Sequence, residues 1–185
     1  MHHAMNIRPA TAADAAAIAE IYADACLNGF GTFEEVPPDA DEIATRMAGV
    51  QSRGLPYLVA EGDGEILGYA YAGPFRLRAA YRYTVEDSVY VSPKAKGKGV
   101  GRAVLSAVLD ACAAMGLRQV MAVIGDTGNK GSIGLHTAMG FEPVGTFRDV
   151  GYKQERWVDI VLMQKSLNGG SSTPPDADGL SLKGF

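Results

Sequence analysis

The chain has 185 residues, a length that fits one domain with a sizeable hydrophobic core. Apolar residues make up 47% and charged residues 21%, and the net charge of −4 gives no general reason to bind nucleic acid or an anionic membrane. No apolar run approaches the ~20 residues of a transmembrane helix, and the start lacks the apolar stretch of a secretion signal. The sequence therefore predicts a cytoplasmic protein without a membrane span.

Strand and helix patterns alternate along the chain and predict one α/β domain over residues 5–167. The predicted strands lie at residues 6–9, 56–61, 65–73, 84–91, 119–124, 142–147 and 157–164. The predicted helices lie at residues 11–28, 39–53, 100–115 and 130–139. The order β-α-α-β-β-β-α-β-α-β-β places a hairpin before a β-α-β unit, so we expect a mixed sheet flanked by helices rather than an all-parallel one.

The two ends of the chain differ in composition from the predicted domain. We interpret residues 1–4 as a tag remnant or a disordered start, with Met5 as the natural first residue. Residues 168–185 are rich in Gly, Ser, Pro and Asp, which predicts a flexible tail outside the core.

Cysteine and histidine are too sparse to predict a metal site. Cys26 and Cys112 are the two cysteines, and both fall on apolar faces of predicted helices. We therefore expect buried, reduced thiols rather than a disulfide or a nucleophile. With three histidines and no closely spaced cysteine pair, we predict that the chain binds no metal.

A glycine-rich loop, Lys96-Gly97-Lys98-Gly99-Val100-Gly101, joins a predicted strand to a predicted helix. Alternating glycines let backbone amides approach a ligand, and the positive end of the helix dipole faces the loop. Together with Lys96, Lys98 and Arg102, these features favour a phosphate or pyrophosphate site. The alternative is a glycine-rich turn that binds nothing.

Two common phosphate-binding patterns do not fit this loop. A dinucleotide fingerprint needs glycine at position 102, where Arg102 stands, and a P-loop needs Ser or Thr after Gly-Lys. The loop instead resembles the coenzyme A loop of the GNAT acetyltransferase superfamily, which has Arg or Gln, two residues, Gly, one residue, then Gly or Ala. Lys96 departs from that pattern, which should weaken a side-chain contact but leave the backbone cradle intact.

The flanking segments narrow the resemblance. The strand at 84–91, the pair Asn129 and Ser132, and the segment 135–141 are similar in order and spacing to GNAT motifs over most of residues 6–165. The Thr-Val-Glu stretch ending at Glu86, with the Leu-His pair ending at His136 and the Gly-Tyr-Lys stretch ending at Lys153, resembles the phosphinothricin acetyltransferase branch. That branch includes enzymes that acetylate methionine sulfone and methionine sulfoximine.

The resemblance implies a GNAT fold with a mostly antiparallel sheet, in which two central strands splay apart and acetyl-CoA lies in the gap. It implies that strand backbone pairs with pantetheine and that a bulge frees one amide for the thioester carbonyl. The residues so assigned to acetyl-CoA are Val89, Tyr90, Val91, Lys96, Gly97, Lys98, Gly99, Val100, Gly101, Arg102, Asn129 and Ser132. Asn129 and Ser132 are alternatively helix caps.

Two residues are candidates for proton transfer. Glu86 lies inside an apolar strand, where partial burial would raise the pKa of its carboxyl and suit a general base. The alternative is a structural carboxylate paired with an arginine. The superfamily often has a tyrosine that protonates the leaving thiolate, whereas this chain and its branch have a histidine, His136. An imidazole can donate a proton near neutral pH, but a helical histidine can also serve only in packing.

The acceptor site is predicted mainly from a basic segment between two strands. Arginine suits bidentate capture of a carboxylate or phosphinate oxygen, although a solvated basic loop is the alternative. The residues assigned to the acceptor are Phe33, Arg76, Arg78, Tyr81 and Glu86. They favour acetylation of the α-amine of a small polar amino acid.

Related enzymes are commonly homodimers, so the resemblance also implies a homodimer, with Trp157 in the core or an interface. A protein or peptide N-acetyltransferase and a coenzyme A sensor without turnover stay open as alternative functions.

Overall fold

The computed structural model describes residues 5–182, and its elements follow the predicted order. The strands are β1 (Asn6–Pro9), β2 (Tyr57–Gly62), β3 (Glu65–Pro74), β4 (Thr84–Val91), β5 (Gln119–Gly125), β6 (Glu142–Lys153) and β7 (Arg156–Ser166). The helices are α1 (Ala15–Asn28), α2 (Ala40–Gln51), α3 (Val100–Ala114) and α4 (Lys130–Ala138). The predicted tag remnant at residues 1–4 lies outside the described residues.

The sheet is mixed and mostly antiparallel, which confirms the predicted fold class. Its spatial order is β1-β2-β3-β4-β5-β7-β6, and only β4 and β5 pair in parallel. That parallel pairing runs from Thr84 opposite Gln119 to Asp87 opposite Ala122 and then stops. Beyond this point the two strands diverge, so the predicted splay is present between residues 88–91 of β4 and 123–125 of β5.

Side chains alternate between the two faces of the sheet and build a core on each side. On one face Tyr57, Val59 and Tyr69 pack with apolar residues of α1 and α2. On the other face Ala70, Val85 and their neighbours pack against α3. The sheet therefore separates two layers of helices. Within the described range, none of the helices is long and apolar enough to cross a membrane.

The tail beyond residue 167, which the sequence predicts to lie outside the core, packs against it over the described residues. Arg118 is 7% exposed, and its guanidinium donates to the carbonyls of Asn168, Gly170 and Pro174. Leu180 is buried in the α3 core, and its N–H donates to the carbonyl of Arg82. A buried guanidinium requires many acceptors, and the tail backbone supplies them.

Candidate active site

The splay between β4 and β5 opens a cleft of about 720 Å³. The strand ends, the glycine loop, the first turn of α4 and the segment after α1 all contribute to its walls. The predicted cofactor residues that line it are Val89, Tyr90, Val91, Lys96, Gly97, Gly99, Val100, Gly101, Arg102, Asn129 and Ser132. Of that predicted set, Lys98 is not among the lining residues. The fold thus brings together the glycine loop and the first turn of α4, which are about 30 residues apart in sequence.

The glycine loop has the backbone geometry of an anion cradle. Gly97 and Gly99 have φ angles of +76° and +82°, a left-handed conformation that strains residues with a side chain. Gly99 is the N-cap of α3 and makes no side-chain cap, so the first-turn N–H groups stay available to a ligand in the cleft. Lys96 and Arg102 add positive charge to the same wall. The residues present therefore fit a phosphate-bearing group.

The edge of β4 that faces the cleft is freed by divergence, not by a bulge. β4 keeps one continuous register with β3, from Val91 opposite Gly68 to Val85 opposite Pro74. The predicted bulge in β4 is therefore wrong. Because β5 turns away after Ala122, the backbone of residues 88–91 loses its β5 partners and can pair with an extended ligand instead.

Glu86 lies on the opposite face of β4 from the next residue, Asp87, because successive strand side chains alternate. Glu86 is half-buried and does not line the cleft. Burial raises the pKa of its carboxyl, the charge of Asp87 raises it further, and Arg76 acts in the opposite direction. Within residues 5–182, no lysine or arginine forms an ion pair with Glu86, which argues against the alternative of a structural salt bridge.

His136 lines the cleft and is held through both ring nitrogens. Its Nε2 lies 2.9 Å from Asp87 Oδ2, and its Nδ1 lies 2.8 Å from the Ser132 carbonyl oxygen. Burial alone lowers the pKa of His136, but the hydrogen bond and negative charge of Asp87 offset this, and the net pKa is raised. Since both partners are acceptors, the doubly protonated imidazolium is the favoured form.

Asp87 is a site residue that the sequence reasoning missed. It is buried, it lines the cleft, and its Oδ1 makes no hydrogen bond within the described residues. It is also the last residue of β4 that pairs with β5, so it stands at the closed end of the splay. Strand alternation from Glu86 would have placed it on the α3 and α4 side, but no sequence signal pairs it with His136.

Asn129 serves as a helix cap in addition to lining the cleft. It is the N-cap of α4, where its side-chain oxygen accepts from the Ser132 N–H at 3.2 Å. Its amide nitrogen lies 3.4 Å from the Gly125 carbonyl oxygen. The Ser132 hydroxyl caps no helix and lies 3.4 Å from His136 Nδ1. The capping alternative therefore holds for Asn129 alone, and ligand contacts from these two residues stay a prediction.

The predicted acceptor residues gather outside the cleft, around the far face of β4. Arg76 and Arg78 are exposed in the segment between β3 and β4, and Arg76 lies 5.2 Å from the Phe75 ring centre. The ring of Tyr81 packs edge-on against Phe75. Phe33 lies farther away, over Gly151 of β6, where an added Cβ would come within 2.2 Å of its ring. Arg76 and Tyr81 are thus joined through Phe75, whereas Phe33 packs on β6 and does not line the cleft.

The cysteines lie away from this chemistry. Cys26 and Cys112 are both buried and free, as the sequence predicts. No group of three His, Cys, Asp or Glu side chains in the described range is arranged to hold a metal ion.

Comparison with known proteins decides the family. The model of the acetyltransferase (GNAT) domain matches residues 7–162. The chain belongs to the GNAT acetyltransferase family. It is 50% identical to a phosphinothricin N-acetyltransferase of Alcaligenes faecalis, over 94% of this chain and 88% of that protein. It is 42% identical to an L-methionine sulfoximine/L-methionine sulfone acetyltransferase of Pseudomonas aeruginosa, over 91% of this chain and 98% of that protein.

A solved structure supports the same relationship in three dimensions. A GNAT phosphinothricin acetyltransferase from Sinorhizobium meliloti, crystallised with acetyl-CoA, superposes with a TM-score of 0.89 at 46% identity. The match covers 92% of each chain. This chain is therefore a GNAT N-acetyltransferase. Its structure has a sheet splayed between β4 and β5 and a glycine cradle before α3.

Proposed function

We propose that this GNAT enzyme transfers the acetyl group of acetyl-CoA to the α-amine of a small polar amino acid of the phosphinothricin, methionine sulfone or methionine sulfoximine type. The observation that carries the proposal is the arrangement around β4. A cleft with an anion cradle lies along its edge, and a half-buried carboxylate, Glu86, lies on its far face. The named activities of the relatives supply the substrate class.

The donor would bind along the cleft from the cradle to the end of the splay. Backbone N–H groups of residues 97–102 would hold the pyrophosphate, and the free edge at Val89–Val91 would pair with the pantetheine amides. Bound acetyl-CoA supplies the acetyl group as a reactive thioester. The backbone would make these contacts without Lys96, whose ammonium lies 3.8 Å from the Asp24 carboxylate and whose side chain is 65% exposed.

Glu86 would act as the general base. Amino acids are mostly protonated at neutral pH, so the α-ammonium must lose a proton before it can attack. A carboxylate whose pKa is raised by burial accepts that proton more readily than an ordinary glutamate, directly or through a water. Its place on the far face of β4 suits an acceptor that reaches the splay from the side opposite α4.

His136 would supply the proton that the leaving thiolate needs, and one of its two N–H groups would turn toward the sulfur from its acceptor, the Asp87 carboxylate or the Ser132 carbonyl. Asp87 and the Ser132 carbonyl favour the imidazolium, and the pair lies where β4 and β5 separate. Asp87 then acts as a positioning residue that keeps His136 protonated. A packing role for the ring, which lies edge-on to Phe141 at 4.9 Å, is compatible with this assignment.

The acceptor would be held by the basic segment and by the segment after α1. Arg76 and Arg78 would bind its carboxylate and its second polar group, and Tyr81 and Phe33 would bound its side chain. Arg76 acts on the pKa of Glu86, which places its charge near the proposed base.

A homodimer is part of the proposal. β6 is the edge strand of the sheet, and the hairpin of β6 and β7 exposes large apolar side chains. These are Val144, Phe147, Val150, Tyr152 and Trp157, each at least 51% exposed. An exposed apolar edge of this kind is typical of an interface, and a second copy of this chain is the partner that the family resemblance implies. The cytoplasmic location stays a prediction from the sequence.

The function is tested by acetyl-CoA turnover on a panel of acceptors. We expect release of free thiol with phosphinothricin, methionine sulfone or methionine sulfoximine, with the product acetylated on the α-nitrogen by mass spectrometry. Turnover only on peptides or proteins would support the alternative of a protein N-acetyltransferase. Tight coenzyme A binding with no turnover on any acceptor would support the alternative of a sensor.

A further inference from the structure

We propose that Lys153, at the end of β6, is a positioning residue for acetyl transfer. It fixes the segment of residues 29–33, here called the α1 exit loop, against the end of β5. The inference rests on the proposed function, because it assigns a role in acceptor binding.

Lys153 is a buried cation whose donors all point to this loop and the end of α1. The side chain is 2% exposed, and its Nζ donates to the carbonyls of Gly29 and Thr32, each at 2.8 Å. A weaker third contact, at 3.5 Å, reaches the Ala25 carbonyl in the last turn of α1. An ammonium has three N–H donors, and burying one is costly unless each finds an acceptor. Within the described residues, Lys153 forms no ion pair, so backbone carbonyls are the groups that stabilise its buried charge.

The two short hydrogen bonds bracket the part of the loop that lines the cleft. Gly29, Phe30 and Gly31 are lining residues, and the bonded carbonyls belong to Gly29 and Thr32. The loop backbone also lies flush with the end of β5, since a Cβ added to Gly125 would come within 1.8 Å of the Phe30 carbonyl oxygen. A small shift of the loop therefore changes the shape of the cleft wall.

Other groups contact the loop through its side chains rather than through its backbone carbonyls. The Arg156 guanidinium lies 3.9 Å from the centre of the Phe30 ring. The Thr32 hydroxyl bonds to Tyr22 at 2.7 Å, and the Phe33 ring packs over Gly151. Both contacts lie at the C-terminal end of the loop. Gln154 adds a bond to the Leu27 carbonyl, which lies within α1. Among these contacts, those of Lys153 alone reach carbonyls on both sides of Phe30 and Gly31.

The effect should fall on the acceptor rather than on acetyl-CoA. The glycine cradle lies on α3, and Lys153 does not touch it. The exit loop ends at Phe33, which is assigned to the acceptor, and its backbone borders Gly125 at the end of β5. Loosening the loop thus displaces an acceptor residue while the phosphate contacts of the cradle stay in place.

The test compares Lys153→Met with the surface control Lys94→Met, which removes a lysine that is 76% exposed and paired only with Glu65. We expect Lys153→Met to raise the acceptor KM about 10-fold or more and to change the acetyl-CoA Kd less than about 3-fold. Amide hydrogen exchange should quicken at residues 29–33. Lys94→Met should match wild type in all three measurements.

A second variant, Lys153→Arg, covers the case in which the methionine variant does not fold. Its guanidinium keeps the charge and can donate to carbonyls, but it is planar and larger than an ammonium and does not fit the same position, so we expect an intermediate acceptor KM. Wild-type acceptor KM and wild-type exchange at residues 29–33 in a folded variant would overturn the inference. If wild type itself turns over no acceptor, the proposed function fails, whereas the exchange comparison still tests whether Lys153 holds the loop.

Discussion

Glu86 and Asp87 are neighbours with opposite surroundings, and the alternation of a strand is the cause. Glu86 faces the side of α1 and α2, where burial raises the pKa of its carboxyl. Asp87 faces α4 and hydrogen-bonds to His136 at 2.9 Å. Two adjacent carboxyl groups can thus serve different proton transfers, one as an acceptor from the amine and one as the partner of an acid.

The first residue-scale prediction concerns Asp87→Asn. An imidazolium that must donate a proton is active below its pKa, so activity falls as pH rises through that pKa. Asp87 raises the pKa of His136, and its removal should move the alkaline limb of the kcat profile to lower pH. Glu86 and Cys112 are other titratable groups near the pair, and the wild-type protein and the Asp87→Asn variant both contain them.

The pH dependence of kcat, with NMR titration of the His136 ring, checks this prediction. An unchanged alkaline limb and an unchanged ring pKa would remove Asp87 from the role assigned to it. A lower ring pKa with an unchanged kcat profile would instead remove His136 from the chemistry.

The second residue-scale prediction concerns Gly99→Ala in the cradle. Its φ of +82° is strained for alanine by roughly 1–2 kcal/mol, and relaxing that strain would turn the first N–H groups of α3 away from the ligand. We expect acetyl-CoA to bind about 10-fold more weakly by calorimetry. Gly64→Ala is the matched control, because Gly64 has a φ of +78° in the turn between β2 and β3, outside the cleft.

Gly64→Ala should lose similar stability but keep its acetyl-CoA affinity. Equal affinities of the two variants would show that the backbone shape at residue 99 does not matter for binding.

At the scale of elements, the hairpin of β6 and β7 is the part whose exposure needs an explanation. Its edge strand leaves Phe147 53% exposed and Trp157 61% exposed. Lys153 links the same hairpin to the α1 exit loop through buried hydrogen bonds. A partner on this edge would therefore lie close to the α1 exit loop, which carries the proposed acceptor residue Phe33.

The element-scale prediction is that Phe147→Asp disrupts the proposed homodimer. A charge placed in an apolar contact must be desolvated there, which disfavours association. We expect a shift toward monomer by light scattering coupled to size exclusion. Val36→Asp is the control, because Val36 is 80% exposed but lies outside the hairpin. A wild-type protein that is monomeric at micromolar concentration would contradict the proposed interface.

The sequence predicted elements well where periodicity and glycines carry the signal, as in α3 and its preceding loop. It placed the end of β6 too early, at residue 147 instead of Lys153. The register with β7 shifts between Phe147 and Gly151, and Asp149 has a φ of +53°, so the period-2 pattern breaks there. Alternation is the signal used to recognise a strand, and an irregular strand does not keep it.

At the scale of the whole molecule, long-range partners explain what the sequence could not predict. Arg118 binds tail carbonyls 50 or more residues away, and Lys153 binds carbonyls more than 120 residues away. Backbone carbonyls exist at every residue, so neither contact leaves a composition signal. The tail composition indicates flexibility, yet one apolar residue, Leu180, joins the core.

The sheet also explains why one strand organises the site. β4 pairs with β3 along its length but with β5 over only its first half. Its free edge faces the cleft, and its far face carries Glu86. We propose that acetyl-CoA lies along that edge while Glu86 deprotonates the acceptor.

The most direct test is Glu86→Gln, which keeps the shape of the side chain and removes the base. We predict that kcat/KM for the best acceptor falls by at least about 100-fold, while the acetyl-CoA Kd stays within about 2-fold of wild type. Near-normal turnover in this variant would contradict the account.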